Sequence, residues 1–328
     1  MTSMHWAQAG VLFLGALHAI AAYAYFSRSR HALAWAAGWA AVAVSAALAM
    51  PVFPRLAVLA FAAAVVLWTL WWASIRALPR RTWVPENARQ ATGEITGERA
   101  TIHDVRNFNW RGRQDFDARW EEAQVDLEAI EAVDLFVSTW GDPRIAHLIV
   151  SFVFRDAPPL AFSIETRRET DESWAALAGF MKSYELIVIA ARENDVIRVR
   201  TNIRGETVRR YRLRTTAGMR RRLFVQYMRR MNALAQRPRF YNTLFANCTT
   251  EVARIVRASG RRLPWAWPIV VSGYVPRYFH AKGLIDPSRH FEEIEREADI
   301  GARARDESAG TEFSVRIRQS VAAVEVPG

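Results

Sequence analysis

The chain has 328 residues, a formal charge of +11 and one cysteine, Cys248. A single thiol excludes an internal disulfide framework and any zinc site built from several thiolates. The basic residues are nearly all Arg and accompany no nucleic-acid recognition motif. The excess charge therefore reads as a solvated surface, or as one held near anionic lipid headgroups, with no nucleic-acid partner.

Charge and hydropathy are unevenly distributed. Residues 1–75 hold three Arg (Arg28, Arg30, Arg55) and no carboxylate, so the remainder carries +8. Within them, 7–26, 32–50 and 56–75 are three apolar runs of about the ~20 residues a helix needs to cross ~30 Å of hydrocarbon. Trp35, Trp39, Trp68, Trp71 and Trp72 add interfacial character. A cleaved signal peptide does not account for three such runs in series. His18, inside the first run, reads as a packing residue. Five Arg flank one side of the runs (Arg28, Arg30, Arg76, Arg80, Arg81) and Arg55 the other, which by the positive-inside rule points the following domain into the cytoplasm. Residues 1–78 are thus a transmembrane region. A linker, Pro79-Arg80-Arg81-Thr82-Trp83-Val84-Pro85-Glu86, leads into a domain over 83–328.

In that domain, 134–138 suggests a short strand, and 147–154 alternates strictly, with His147, Ile149, Ser151 and Val153 on one face. After a turn at 155–159, 160–165 returns with Ala161, Ser163 and Glu165 on one face. Symmetric pairing across that turn sets Ile149 opposite Glu165, with His147 and Glu165 diagonal on a shared face. A helix is expected over 174–181, and strands over 186–190, 195–200 and 207–213. Leu223, Phe224, Tyr227, Met228, Met231 and Leu234 recur at helical spacing. The expected class is α+β, an antiparallel sheet with helices packed on it.

The chemistry centres on Tyr241-Asn242-Thr243-Leu244-Phe245-Ala246-Asn247-Cys248-Thr249-Thr250. A helix predicted over 249–258, with Asn247 as its N-cap, puts the thiol in the first helical turn. Exposed amides and the helix dipole there favour a thiolate. Such a thiol needs a base. Of the histidines outside the membrane part (His103, His147, His280, His290), only His147 opens a strand facing a carboxylate on its partner. Glu165 would then fix the imidazole tautomer. The Cys248 amide, with Asn247, Asn242 or Tyr241, would stabilise an oxyanion. Ser163, on the face of Glu165, joins that pocket. Each residue also has a plainer role: a buried small residue for Cys248, a core histidine for His147, a surface charge for Glu165, turn and cap formation for the asparagines. Zinc on His147, Cys248 and Glu165 lacks closely spaced ligand pairs, and no cofactor motif is present.

The ordered words Val105-Arg106-Asn107-Phe108, Val133-Asp134-Leu135-Phe136-Val137-Ser138-Thr139-Trp140, Ala146-His147-Leu148-Ile149-Val150-Ser151-Phe152, Ser163-Ile164-Glu165-Thr166-Arg167, Tyr184-Glu185-Leu186, Arg198-Val199-Arg200-Thr201-Asn202, Tyr241-Asn242-Thr243, Asn247-Cys248-Thr249-Thr250 and Ser272-Gly273-Tyr274 resemble the Lnb N-terminal periplasmic domain (DUF4105) family. The resemblance runs roughly from Trp83 to the C-terminus. It implies a permuted papain-like (NlpC/P60-type) domain with the histidine before the cysteine, held outside the cytoplasmic (inner) membrane and opposite to the charge bias. It also implies a Cys248–His147–Glu165 site working through an acyl-Cys intermediate, as in lipoprotein N-acyltransferase. Membrane lipids and lipoproteins would be the partners. Besides an acyltransferase or acyl hydrolase, a cell-wall amidase or peptidase and a non-enzymatic membrane-anchored binding domain remain open.

Overall fold

The computed structural model describes residues 3–25, 31–172, 178–306, 310 and 312–319. The chain divides into two compact units. One gathers Met1–Arg81, Arg168–Glu185 and Arg239–Thr243; the other gathers Thr82–Arg167, Leu186–Pro238 and Leu244–Gly328.

The first unit contains α1 (Ser3–Tyr25), α2 (Ala32–Ala49) and α3 (Pro54–Ser74), all long and apolar enough to cross a membrane. Small residues let α1 and α2 approach closely: a Cβ on Gly15 would lie 2.1 Å from that of Ala43. His18 donates from Nδ1 to the Leu14 carbonyl (2.7 Å) and packs against Trp39 (ring centroids 4.7 Å). The Lys182 ammonium caps the end of α3, donating to the carbonyls of Trp72 (2.5 Å) and Ile75 (3.3 Å). Much of the helix expected over 174–181 falls on 173–177, outside the described residues; Ala178–Phe180 form a 3-10 turn.

The second unit is built on one sheet. Its strands are β1 (Thr92–Thr96), β2 (Arg99–Arg106), β5 (Trp120–Asp126), β6 (Ile130–Thr139), β7 (Ala146–Phe154), β8 (Leu160–Arg167), β9 (Glu185–Arg192, whose first residue groups with the helical unit) and β10 (Thr207–Arg212), while β3 (Asn109–Trp110) and β4 (Phe116–Asp117) pair separately. The order is β1-β2-β9-β8-β7-β6-β10, with β5 on β2. The expected antiparallel sheet is in fact mixed, because β2 and β9 meet in parallel at Arg106 and Ala191. Alternation within a strand carries no information about a partner so distant in the chain.

The β7–β8 register also differs from symmetric pairing. Ile149 faces Ser163 and Phe152 faces Leu160, while Phe154 pairs with Ile130 on β6 instead. The turn opens wider than expected because Pro158 and Pro159 have no N–H for the ladder. The slip is two residues, so every side chain keeps its face. Continued by two steps, the observed register sets Glu165 opposite His147.

The two faces of the sheet are filled differently. On one, Phe152 and Phe162 meet Phe224 and Tyr227 of α5 (Ala217–Gln236) at centroid distances of 5.0–5.9 Å. On the other, Ile149 and Ala161 join Val196, Ile197, Ile300, Ala304, Phe313 and Ile317. There the strand expected over 195–200 is replaced by α4 (Glu193–Val196) and a π-helical turn, Val199–Ile203. Val196, Ile197 and Val199 are all buried, whereas a half-buried strand hides alternate residues. Asp195 fixes the turn by accepting from Arg106 Nε and Nη2, the Phe108 amide and Trp110 Nε1 at 2.7–3.0 Å. The C-terminal part supplies α6 (Cys248–Ala258), α7 (Val275–Ala281), α8 (Phe291–Ala298), α9 (Gly301–Arg305) and α10 (Phe313–Arg316).

Candidate functional site

Cys248 is the first residue of α6. Asn247 caps the helix: its side chain accepts from the Thr250 amide (2.9 Å), and the Thr250 hydroxyl accepts from the Asn247 amide (2.9 Å). This reciprocal box fixes how the chain enters the helix. It commits the Asn247 side-chain oxygen to capping, the plainer of its two expected roles. The Glu251 amide bonds the Asn247 carbonyl. The amides of Cys248 and Thr249 stand ahead of the first intrahelical bond, at the positive end of the helix.

The thiol meets β7 where β7 and β8 part. Their ladder ends at the Ile149–Ser163 pair, so main-chain groups of β7 beyond it need other partners. The Ala146 amide donates to Ser272 Oγ (2.7 Å). The Ala146 carbonyl lies 4.0 Å from Cys248 Sγ, and the nearby Leu148 amide helps to lower the thiol. Gly273 donates its amide to the Arg144 carbonyl, and a Cβ there would sit 2.0 Å from the Pro143 carbonyl oxygen. The Ser-Gly-Tyr word therefore fastens the loop that leads into His147.

His147 is the second residue of β7 and is buried. Its Nε2 lies 2.7 Å from Ser163 Oγ and 3.0 Å from Glu165 Oε1, while Ser163 donates its own proton to Glu165 (2.7 Å). Because that hydroxyl proton is spent, Ser163 accepts from Nε2–H. The proton is thus held on Nε2, which leaves Nδ1 as the nitrogen free to exchange a proton with the thiol. Ser163 is therefore a link between base and carboxylate and not a lining group of an oxyanion pocket. Tyr241 and Asn242 belong to the first unit, where the Tyr241 amide donates to the Tyr184 carbonyl (2.8 Å).

Sequence reasoning passed over Arg200. It projects from the π turn, is buried, and bridges Glu165 and Glu206 with 3.0 Å contacts to each. Ser138 donates to the same Glu206 oxygen (2.5 Å). The signal was present in Arg198-Val199-Arg200-Thr201-Asn202. A strand reading of 195–200 gave no reason to bring Arg200 to a carboxylate 35 positions away.

These contacts set the charges. Burial opposes an imidazolium at His147, but the Glu165 carboxylate, aided by the thiol hydrogen bond and partly offset by Arg200, lifts it from 6.5 to about 9. Burial pushes Glu165 upward, yet His147 and Arg200, then bonds from His147 and Ser163, hold it well below its usual range. Burial also raises the Cys248 thiol. The His147 hydrogen bond and charge, with the Leu148 amide and Thr249 hydroxyl, outweigh that and lower it. The favoured state is a thiolate–imidazolium pair backed by a carboxylate, a proton inventory suited to nucleophilic attack followed by proton return. Cys248 is partly open to solvent while the base behind it is buried.

Fold and geometry together define an α+β domain carrying a thiol, an imidazole and a carboxylate, on a chain with three helices fit to cross a membrane. Residues 116–273 match the family model of the Lnb N-terminal periplasmic domain. The match takes in His147, Ser163, Glu165, Arg200, Cys248 and Ser272. It is narrower than the stretch from Trp83 to the C-terminus expected from the motifs. No curated protein and no solved structure matches the chain. With its apolar helices, the chain is a membrane protein with a periplasmic domain.

Proposed function

We propose that this protein is a thiol-dependent acyltransferase or acyl hydrolase acting on lipoproteins or membrane lipids through an acyl-Cys248 intermediate. One observation carries the reading: the thiol at the start of α6 lies 4.0 Å from the carbonyl of Ala146, the residue before His147, whose Nε2 is held 3.0 Å from Glu165, and the His147 charge lowers that thiol. In the first step the thiolate attacks the carbonyl carbon of an ester. A C–S bond forms, the C–O bond breaks, and the departing alcohol takes the imidazolium proton. In the second, an amine or water gives a proton to the neutral imidazole and attacks the thioester, releasing the thiolate. The amides of Cys248 and Thr249 are the donors nearest to a developing oxyanion. Arg200 keeps Glu165 ionised, so the imidazolium is stabilised without the carboxyl taking its proton.

The chain order His147, Glu165, Cys248, with the base on a strand and the nucleophile at a helix start, supports a permuted papain-like fold. Three helices in series support a multi-pass protein of the inner membrane. A tether of that kind keeps the domain beside substrates that do not leave the lipid, which favours lipid-borne esters over wall peptides.

The test is intact mass spectrometry of the full-length protein in nanodiscs after incubation with a diacylated lipoprotein. The expected result is one acyl increment on wild-type protein, localised to Cys248 and absent from Cys248→Ala. Acyl transfer with no adduct, even when turnover is slowed by His147→Gln, would contradict the proposal.

A further inference from the structure

The rim of the thiol site is conspicuously apolar for a surface in water. Ile145, Trp265 and Trp267 leave 55%, 54% and 61% of their surface exposed, and Trp140, Val270 and Tyr274 are exposed as well. These residues come from separate stretches that pack into one region. Trp267 meets the Tyr274 ring at 4.8 Å. Tyr274 follows Ser272 and Gly273, which bond to Ala146 and Arg144 of the loop between Trp140 and His147. Arg257 of α6 stacks over Trp265 at 5.5 Å. The patch thus runs from the loop that feeds His147 to the last turn of α6, the end away from Cys248. Among the described residues the core beneath it is already closed by buried Leu263, Ile269 and Val275.

Charge and side-chain type identify the occupant. From residue 252 to 285 the chain has six cations (Arg254, Arg257, Arg261, Arg262, Arg277, Lys282) and no carboxylate, and Arg254 and Arg277 pair with Glu251 and Glu292 just outside it. Tryptophan and tyrosine rings backed by Arg suit the headgroup layer of a bilayer, where ring bodies enter the acyl boundary and cations meet phosphate. The same chain carries three helices fit to cross a membrane. An exposed apolar patch is ordinarily an interaction surface, and a bilayer offers both apolar and anionic complements at once.

We infer that the aromatic patch formed by Ile145, Trp265, Trp267 and Tyr274 seats in the lipid headgroup layer and presents the neighbouring Cys248 site to ester groups there. This rests on the proposed acyl chemistry and narrows its substrate to esters still embedded in the leaflet.

Two alkylating probes test it on full-length protein in nanodiscs containing anionic phospholipid: water-soluble iodoacetamide, and a phospholipid bearing a bromoacetyl group. Both should label wild-type Cys248. The combined variant Ile145→Ser, Trp265→Ser, Trp267→Ser should lose about tenfold or more in labelling by the lipid-borne probe and leave the iodoacetamide rate unchanged. Unchanged labelling by the lipid-borne probe in the combined variant, or a lipid-borne probe that never reaches a thiol iodoacetamide labels, would overturn the seating. That second outcome would leave a protein partner as the occupant. Slow iodoacetamide labelling of wild type would instead count against the activated thiol, so the two failures are separable. A loss of both probes would reflect misfolding; the milder pair Trp265→Phe, Trp267→Phe then decides. Brominated phospholipid should quench less tryptophan emission in that pair than in wild type, and unchanged quenching would overturn the inference.

Discussion

Two arginine–carboxylate clusters flank one short helical stretch, and they are put to different use. At its start, Asp195 is fully buried and accepts four hydrogen bonds from Arg106, Phe108 and Trp110. Every strong acceptor position is filled, and the cluster ends there. Five residues on, Arg200 holds Glu165 from one side while His147 and Ser163 hold it from the other. This second cluster continues through the imidazole to a partly open thiol. A saturated carboxylate locks backbone, whereas one shared with a titratable base sets that base's charge. The difference lies in the last partner.

The sharpest way to break this comparison is to neutralise each carboxylate. Asp195→Asn leaves Arg106 buried without its counter-charge, and chemical denaturation should register a loss of about 3–5 kcal/mol. Thiol alkylation by the fraction still folded should match wild type. Glu165→Gln should do the reverse, leaving the midpoint closer to wild type while acyl turnover falls by about tenfold or more. Similar profiles for the two variants would erase the distinction.

A smaller effect sharpens it. Arg200→Lys keeps the charge but cannot bridge Glu165 and Glu206 with a planar fork. Turnover should drop by about threefold to tenfold, with the alkaline limb of the pH profile displaced; Arg200→Gln should displace it further. A uniform loss at every pH would mean that Arg200 acts only as a structural brace.

These contrasts follow how far each feature reaches along the chain. The three apolar runs, the alternation of β7 and β8 and the Asn247 cap depend on neighbours within a turn or a strand, so the sequence already spoke for them. The side of the sheet bearing His147, Ser163 and Glu165 was legible because a two-residue slip leaves faces intact, although it moved Glu165 from diagonal to opposite. Arg200 was not legible. Its π turn replaces a stretch whose valines and isoleucine fit a strand equally well, and the carboxylate that selects the turn, Asp195, finds its partners about 90 residues upstream, as the 89-residue separation from Arg106 records. The parallel contact of β2 with β9 was hidden for the same reason. The aromatic rim escaped notice because it assembles from the 140–145 loop and the 265–274 segment, which only the fold brings together.

The central claim is a thiolate paired with an imidazolium, and the pH dependence of Cys248 alkylation in full-length protein tests it most directly. Because the thiol is lowered and His147 is raised to about 9, the wild-type rate should rise with a midpoint below the ordinary thiol range. It should change again as pH passes about 9 and the imidazolium loses its proton. In His147→Ala burial is opposed only by the Leu148 amide and Thr249 hydroxyl, so a single midpoint should move up toward the ordinary range. A wild-type profile that already shows that single high midpoint, unmoved by His147→Ala, would contradict the account.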